Sequence, residues 1–284
     1  MKKLLALILA LMLTAAMFAG CTAKNEAVED TNATADTAAD TEAAAEDFVI
    51  ACELTSEEYG IGFRKGSDLT AKVNDYIAEL KEDGTLDALA EKYELALSDS
   101  APMEEEEVTV NDYNYVKGNG KLVIGITDYE PMNYKDDKDE WTGFDTEFAL
   151  AVCEKLGVEA EFVEIEWDNK FLALESKTID CIWNGMTISD DVLKNTSCSV
   201  AYVKNAQVVV MSAKDAATYS NPEDMEGLTF AVEAGSAGAA AAEEFGFSNV
   251  VEAGTQTDAY LEVTSGSCDA CIIDLTMANA MLNK

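Results

Sequence analysis

From Lys121 to the last residues, short runs rich in Val and Ile alternate with segments whose apolar residues recur at helical spacing, and few folds accommodate that alternation. The runs are Leu122–Ile126, Glu161–Ile165, Ile179–Trp183, Gln207–Met211, Leu228–Val232 and Asp269–Ile273. They have the composition of strands buried on both faces of a parallel sheet. Between them Phe144, Phe148, Val152 and Leu156 mark one helix face, Phe171, Leu172 and Leu174 another, and Ala239 to Phe245 a third. The expectation is an α/β fold with open sheets. Ligands of such folds bind beyond the carboxyl ends of the strands, which points to residues 127–131, 184–189, 233–238 and 274.

Upstream of this alternation, Tyr59 to Arg64 reads as a strand and Lys65-Gly66-Ser67-Asp68 as a turn. Leu69, Val73, Tyr76, Ile77 and Leu80 then follow a helical repeat, and Asp83-Gly84-Thr85 ends that helix and begins another that stops near Tyr93. Residues 99–118, with Pro102 and the run Glu104 to Glu107, are expected to be an exposed connection.

The chain opens on an address. Lys2 and Lys3 precede an apolar stretch from Leu4 to Met17, and Phe18-Ala19-Gly20-Cys21 forms a small-residue cleavage site. The stretch is shorter than the ~20 residues that cross a bilayer comfortably. Its pattern, residues 1–20 followed by Cys21, resembles a bacterial lipoprotein signal in which Cys21 is acylated, although Phe18 stands where Leu is usual. Plain secretion, with Cys21 merely near the cut, is the alternative. Residues 22–47 contain nine Ala, five Thr and eight acids, with Val28 the one large aliphatic, so residues 21–47 are expected to be a disordered acidic tether.

Charge excludes several functions. With 19 Lys plus Arg against 55 Asp plus Glu, the net charge of −36 repels phosphate backbones, and nucleic acid is not an expected partner. No His is present, which removes Ser-His and Cys-His dyads and His-based metal sites. Beyond Cys21 there are six cysteines, and export of an even number invites pairing. Yet Cys153 falls in a predicted helix and Cys181 and Cys271 in predicted strands, where Cys packs as a small apolar residue, so reduced structural thiols are expected. Neither a metal nor any other cofactor is expected.

The segments KLVIGITDYEPMNY, WTGFDTEFALAVCEKLG, EIEWDNKFLALESKTIDCIWNGMTIS and GSCDACIIDLTMANAML together resemble the amino-acid-binding proteins of ABC importers, bacterial solute-binding family 3. The resemblance spans most of residues 120–284 and implies the two-lobed type II periplasmic-binding-protein fold, with a two-stranded hinge. Family members continue past the last strand here with a return strand, a hinge and two helices. Residues 48–95, with YGIGFRKGSD and the DGT break, are similar to that missing end. The pieces complement each other rather than overlap, which implies a circular permutation joined through residues 99–118. Twenty extended residues reach roughly 66 Å, enough for such a join. One lobe would then combine residues 59–98 and 119–206, the other residues 48–57 and 207–284, with hinge strands near 207–209 and 58–61.

Carried over residue by residue, the resemblance implies an ammonium site at Asp274, aromatic walls at Tyr129 and Trp167, and polar contacts from the Asn184-Gly185-Met186-Thr187 loop. Asp274 also has the position of a helix N-cap, and both aromatics could serve as core or rim residues. Asp128 adds an acid near the cleft, or simple turn chemistry. Ser236 opens a helix whose N–H groups could meet an anion, while Glu233 adds a charge where some relatives carry Lys. The family's carboxylate-binding Arg is replaced by Val192, with Lys194 two positions away. Either an amino acid binds through a rearranged site, or the ligand is a cationic amine without an α-carboxylate.

What the resemblance implies is a lipid-anchored, extracytoplasmic binding component that takes an amino acid or small amine by lobe closure and serves an ABC permease in the membrane. A sensor or surface interaction protein that keeps the fold without uptake is the alternative. An enzyme of the lyase type ranks last, because acids appear without an identifiable partner base.

Overall fold

The computed structural model of the protein describes residues 47–101 and 106–283. The signal sequence, Cys21 and the tether up to residue 46 lie outside the described residues. In chain order the elements begin with β1 (Phe48–Arg64), α1 (Leu69–Glu82), α2 (Thr85–Lys92), α3 (Asp112–Asn119), β2 (Lys121–Ile126), β3 (Tyr134–Lys135) and β4 (Trp141–Thr142). There follow α4 (Phe144–Leu156), β5 (Glu159–Glu164), α5 (Lys170–Glu175), β6 (Cys181–Thr187), α6 (Asp190–Asn195), β7 (Thr196–Cys198) and β8 (Val203–Ser212). The last third holds α7 (Ala213–Ala216), β9 (Thr229–Glu233), α8 (Ala237–Glu244), β10 (Asn249–Ala253), α9 (Gln256–Thr264), β11 (Ala270–Asp274) and α10 (Leu275–Leu282).

The fold is α/β and two-lobed, and β1 organises it. Its first part pairs antiparallel with β8, from Phe48 opposite Ser212 to Tyr59 opposite Val203. Its second part pairs antiparallel with β6 and β7, with Phe63 opposite Cys181 and Ser197. The strand order is therefore β10-β9-β11-β8-β1-β6-β2-β5, with β7 beside β1. We refer to the β2, β5, β6 side with α1 to α5 as the first lobe and to the β8 to β11 side as the second. Register shifts at Ile50/Cys52, Glu53/Thr55 and Gly60/Gly62 kink β1 and add twist, which lets one strand of 17 residues serve both sides.

Most of the large apolar residues on the predicted faces of α1 and α4 lie in the core. Leu69, Val73, Ile77 and Leu80 of α1 and Phe144, Phe148, Val152 and Leu156 of α4 are all buried. Phe148 meets Trp183 edge-on at 5.0 Å between ring centroids, and Phe144 stacks on Tyr202 at 6.1 Å. Leu172 departs from its predicted face and is exposed. The run Gln207–Met211 is buried on both faces as predicted, but β8 runs antiparallel to both neighbours, because a Val-rich run reports burial and not direction.

Residues 99–118 are more than an exposed connection. Asn111 caps α3 by accepting from the Asn114 amide, and Asp112 at the start of that helix is fully buried. Arg64 explains that burial. Its Nε donates to Asp112 at 2.8 Å, its Nη2 to Asp180 at 2.9 Å, and its Nη1 to the carbonyls of Ile179 and Leu174 at 2.7 and 3.2 Å. The guanidinium thus ties the end of β1 to α3 and to the turn before β6. The six described cysteines are free, and burial pushes the Cys153 and Cys198 thiols up to about 12, so neither offers a thiolate at neutral pH. No described helix is long and apolar enough to cross a membrane.

Candidate functional site

The two lobes face each other across a cleft of about 580 Å³, floored by residues 55–57 of β1. Asp274 sits where β11 passes into α10, and its side chain makes no cap hydrogen bond. Instead Oδ1 accepts from the Asn205 and Gln207 side chains, the latter at 2.8 Å, and Oδ2 accepts from the Gln256 side chain. Burial raises this carboxyl well above the ordinary Asp range, and the neighbouring Glu57 raises it further. Glu57 belongs to the same cluster. Its Oε1 accepts from Thr187 Oγ1 at 2.9 Å, Asn205 Nδ2 at 2.6 Å and Gln207 Nε2 at 2.9 Å. Two acids held by shared amide donors form a focus for a cation.

Glu233 ends β9 on the neighbouring strand, lines the cleft and is only 2 % exposed. Its Oε1 has no hydrogen-bond partner, and burial pushes its carboxyl up to about 8 against the opposing pull of Lys170. Lys170, the only Lys or Arg lining the cleft among the described residues, donates to Gly235 O at 2.8 Å and Trp167 O at 3.2 Å. Its ammonium lies 5.0 Å from the Trp167 ring centroid and 4.9 Å from that of Phe171, and burial lowers its pKa.

The other predicted residues divide by what occupies them. Tyr129 lines the cleft, but its hydroxyl is buried against Tyr59 OH at 2.5 Å and Thr276 Oγ1 at 2.6 Å, which links the lobes rather than leaving a free wall. Residues 184–187 lie inside β6, not in a loop. Asn184 is committed to Thr127: its Oδ1 accepts from the Thr127 amide and hydroxyl at 3.0 and 2.7 Å, and its Nδ2 donates to the Thr127 carbonyl at 3.0 Å. Gly185 has φ +55°, and a Cβ there would come within 2.6 Å of the Tyr129 ring. Its N–H donates to Asp145 at 2.6 Å. Met186 is buried beside the cleft, and Ser236 caps α8 by accepting from the Ala239 amide. Val192 lines the cleft where the guanidinium was expected to be missing. Asp128 is exposed and does not line the cleft.

Three groups escaped the sequence reading. Glu57 lies in β1, one residue before the expected hinge segment 58–61, and nothing in its neighbours in sequence marks it as a site residue. Lys170 precedes the apolar residues that drew attention to α5. Asp145, whose carboxyl burial pushes up to about 7, supports the site from behind by accepting from Gly185 N and from Tyr202 OH at 2.9 Å.

The chain has counterparts among known proteins. Residues 122–262 match the model for bacterial extracellular solute-binding proteins, family 3. The L-cystine-binding protein TcyJ of Escherichia coli K12 is 30 % identical over 177 residues, which cover 60 % of this chain and 65 % of that protein. The arginine-bound, truncated ArgBP of T. maritima is 31 % identical with a TM-score of 0.57, over 60 % of this chain and 81 % of that one. The chain belongs to family 3 of the bacterial extracellular solute-binding proteins. A third counterpart of this family 3 protein is the ancestral amino-acid-binding protein AncCDT-1, described as a precursor of cyclohexadienyl dehydratase, at 30 % identity and TM-score 0.56 over 58 % of this chain and 74 % of that one. The family 3 chain spans about 65 % of the length of TcyJ, and a large part of its own sequence lies outside the match.

Proposed function

We propose that the protein is the lipid-anchored, extracytoplasmic solute-binding component of an ABC importer, that it captures an amino acid or related small amine between its lobes, and that it delivers the solute to a membrane permease. The observation that carries this reading is Asp274, a buried carboxylate opening into the cleft with its oxygens oriented by three amide side chains. Such an acceptor is organised in advance for an ammonium group. The bonds from Lys170 to Gly235 and from Tyr129 to Thr276 cross between lobes and belong to a closed arrangement, so closure around a solute is the expected cycle. The binding of cystine and arginine by the relatives named above supports an amine-bearing solute. A carboxylate, where the solute has one, would meet Lys170 and the first amides of α8 instead of an Arg.

Thermal-shift measurements on the mature chain against amino acids and their decarboxylated amines test this. A specific solute at 100 times its Kd stabilises by about 2.7 kcal/mol, which raises Tm measurably. An absence of any shift across both panels would favour the second reading, a sensor or surface interaction protein. Val192 and the engagement of Gly185 N–H by Asp145 are the features that favour it.

The proposed chain order is a circular permutation, with residues 48–98 supplying the family's usual C-terminal part. Pairing of β1 with both β6 and β8, and packing of α1 and α2 on α4, support it. So does a family match that begins only at residue 122. A chain rejoined as residues 119–284 followed by 48–98 should fold and retain solute binding. An insoluble or unfolded product from both this and a longer-linked version would count against permutation.

A further inference from the structure

We propose that Glu233 is a second cation-binding position of the cleft, so that the preferred solute carries two positive groups, one for Asp274 with Glu57 and one for Glu233. This rests on the cleft being a solute site. Glu233 lines the cleft, is 2 % exposed and leaves Oε1 without a partner. Thr127 lies beside it, but the single hydroxyl proton of Thr127 goes to Asn184 Oδ1 at 2.7 Å. Lys170 directs two of its three donors to Gly235 O and Trp167 O, and none of its hydrogen bonds reaches Glu233 Oε1. A buried carboxyl oxygen in this state lacks a partner, and a cation that favours the ionised form is the strongest remedy.

The two acidic positions are separate. β9 and β11 are neighbouring parallel strands, with Ala270 opposite Phe230 and Cys271 opposite Ala231. Extending that register sets Glu233 level with Ile273, one residue before Asp274, and successive side chains of a strand leave on opposite faces. The groups that act on Glu233 are Lys170, Thr127 and Asp258, whereas those acting on Asp274 are Glu57, Gln256 and Tyr59. Both acids nevertheless line the same cleft at the carboxyl ends of their strands, so a short chain between two cations can reach from one to the other. A diamine or a basic amino acid has this form; a neutral amino acid or a monoamine satisfies Asp274 alone.

The experiment is calorimetric titration of the mature chain with 1,3-diaminopropane, putrescine, cadaverine, lysine and arginine, beside butylamine and glutamine. At least one dication should bind about tenfold or more tightly than butylamine and glutamine. In Glu233→Gln the ratio of dication to monocation affinity should fall to near one. Glutamine or butylamine binding as tightly as every dication in the unmodified protein overturns the inference and leaves the solute-binding reading intact. An unchanged dication preference in Glu233→Gln overturns it likewise. If no probe binds, both the inference and the reading beneath it fail. Because the decisive ratio is measured in the unmodified chain, the test does not depend on the variant folding.

Discussion

Replacing Arg64 by Met should destabilise the protein by about 3–5 kcal/mol, the usual consequence of removing one member of a buried ionic network. The guanidinium binds Asp112, Asp180 and two carbonyls, and both acids are almost completely buried. Its loss leaves two carboxylates with little to neutralise them; Lys177, the other cation near Asp112, stands 3.7 Å away on a half-exposed side chain. At about 2–4 °C per kcal/mol for a chain of this size, Tm should fall by about 6–20 °C. Arg64→Lys should recover only part of the loss, since an ammonium lacks the planar fork that reaches four acceptors. The measurement is denaturant unfolding of both variants. A loss below about 1 kcal/mol would mean that segment 48–98 is held by apolar packing alone.

Asp274→Asn should reduce affinity for the solute about a hundredfold or more and, in the unliganded protein, flatten the dependence of stability on pH. The sign follows from burial. Asp274 is held well above its ordinary range, Glu233 at about 8 and Asp145 at about 7, against unfolded values near 4. Between those limits the folded chain binds protons that the unfolded chain has released. The stability these groups contribute is complete below about pH 4 and is lost as pH rises through their folded values, by several kcal/mol in all. The unliganded protein should therefore melt lower at pH 8 than at pH 5, and the decline should be smaller in Asp274→Asn. Equal declines in the two proteins would show that Asp274 keeps an ordinary pKa.

Much of this architecture is legible in the residues. Periodicity located α1 and α4 because their buried positions are large and apolar, and the rule that ligands bind beyond strand ends points to Asp274 and Glu233, both of which line the cleft. Edge strand β10 was missed, because a strand exposed along its length carries no burial pattern. Helix α3 was missed for a related reason: it is short and polar, and it is ordered by Arg64 from a distant strand. Partnerships across the chain are harder still. Glu57 and Asn205 are 148 positions apart, and Lys170 and Gly235 are 65 apart, so neither pair leaves a local trace. Polar residues in those positions look like solvated surface until the fold turns them inward.

The placement of β1 also sets an order of assembly. Synthesis makes this strand before either of its partners, yet β6 starts only at Cys181 and β8 at Val203, so its hydrogen-bonding edges wait for well over half of the chain. Contacts of such long sequence separation form slowly, and an unpaired strand left open meanwhile invites association with other chains. The kinetic burden of the fold falls on the interval before β8 arrives.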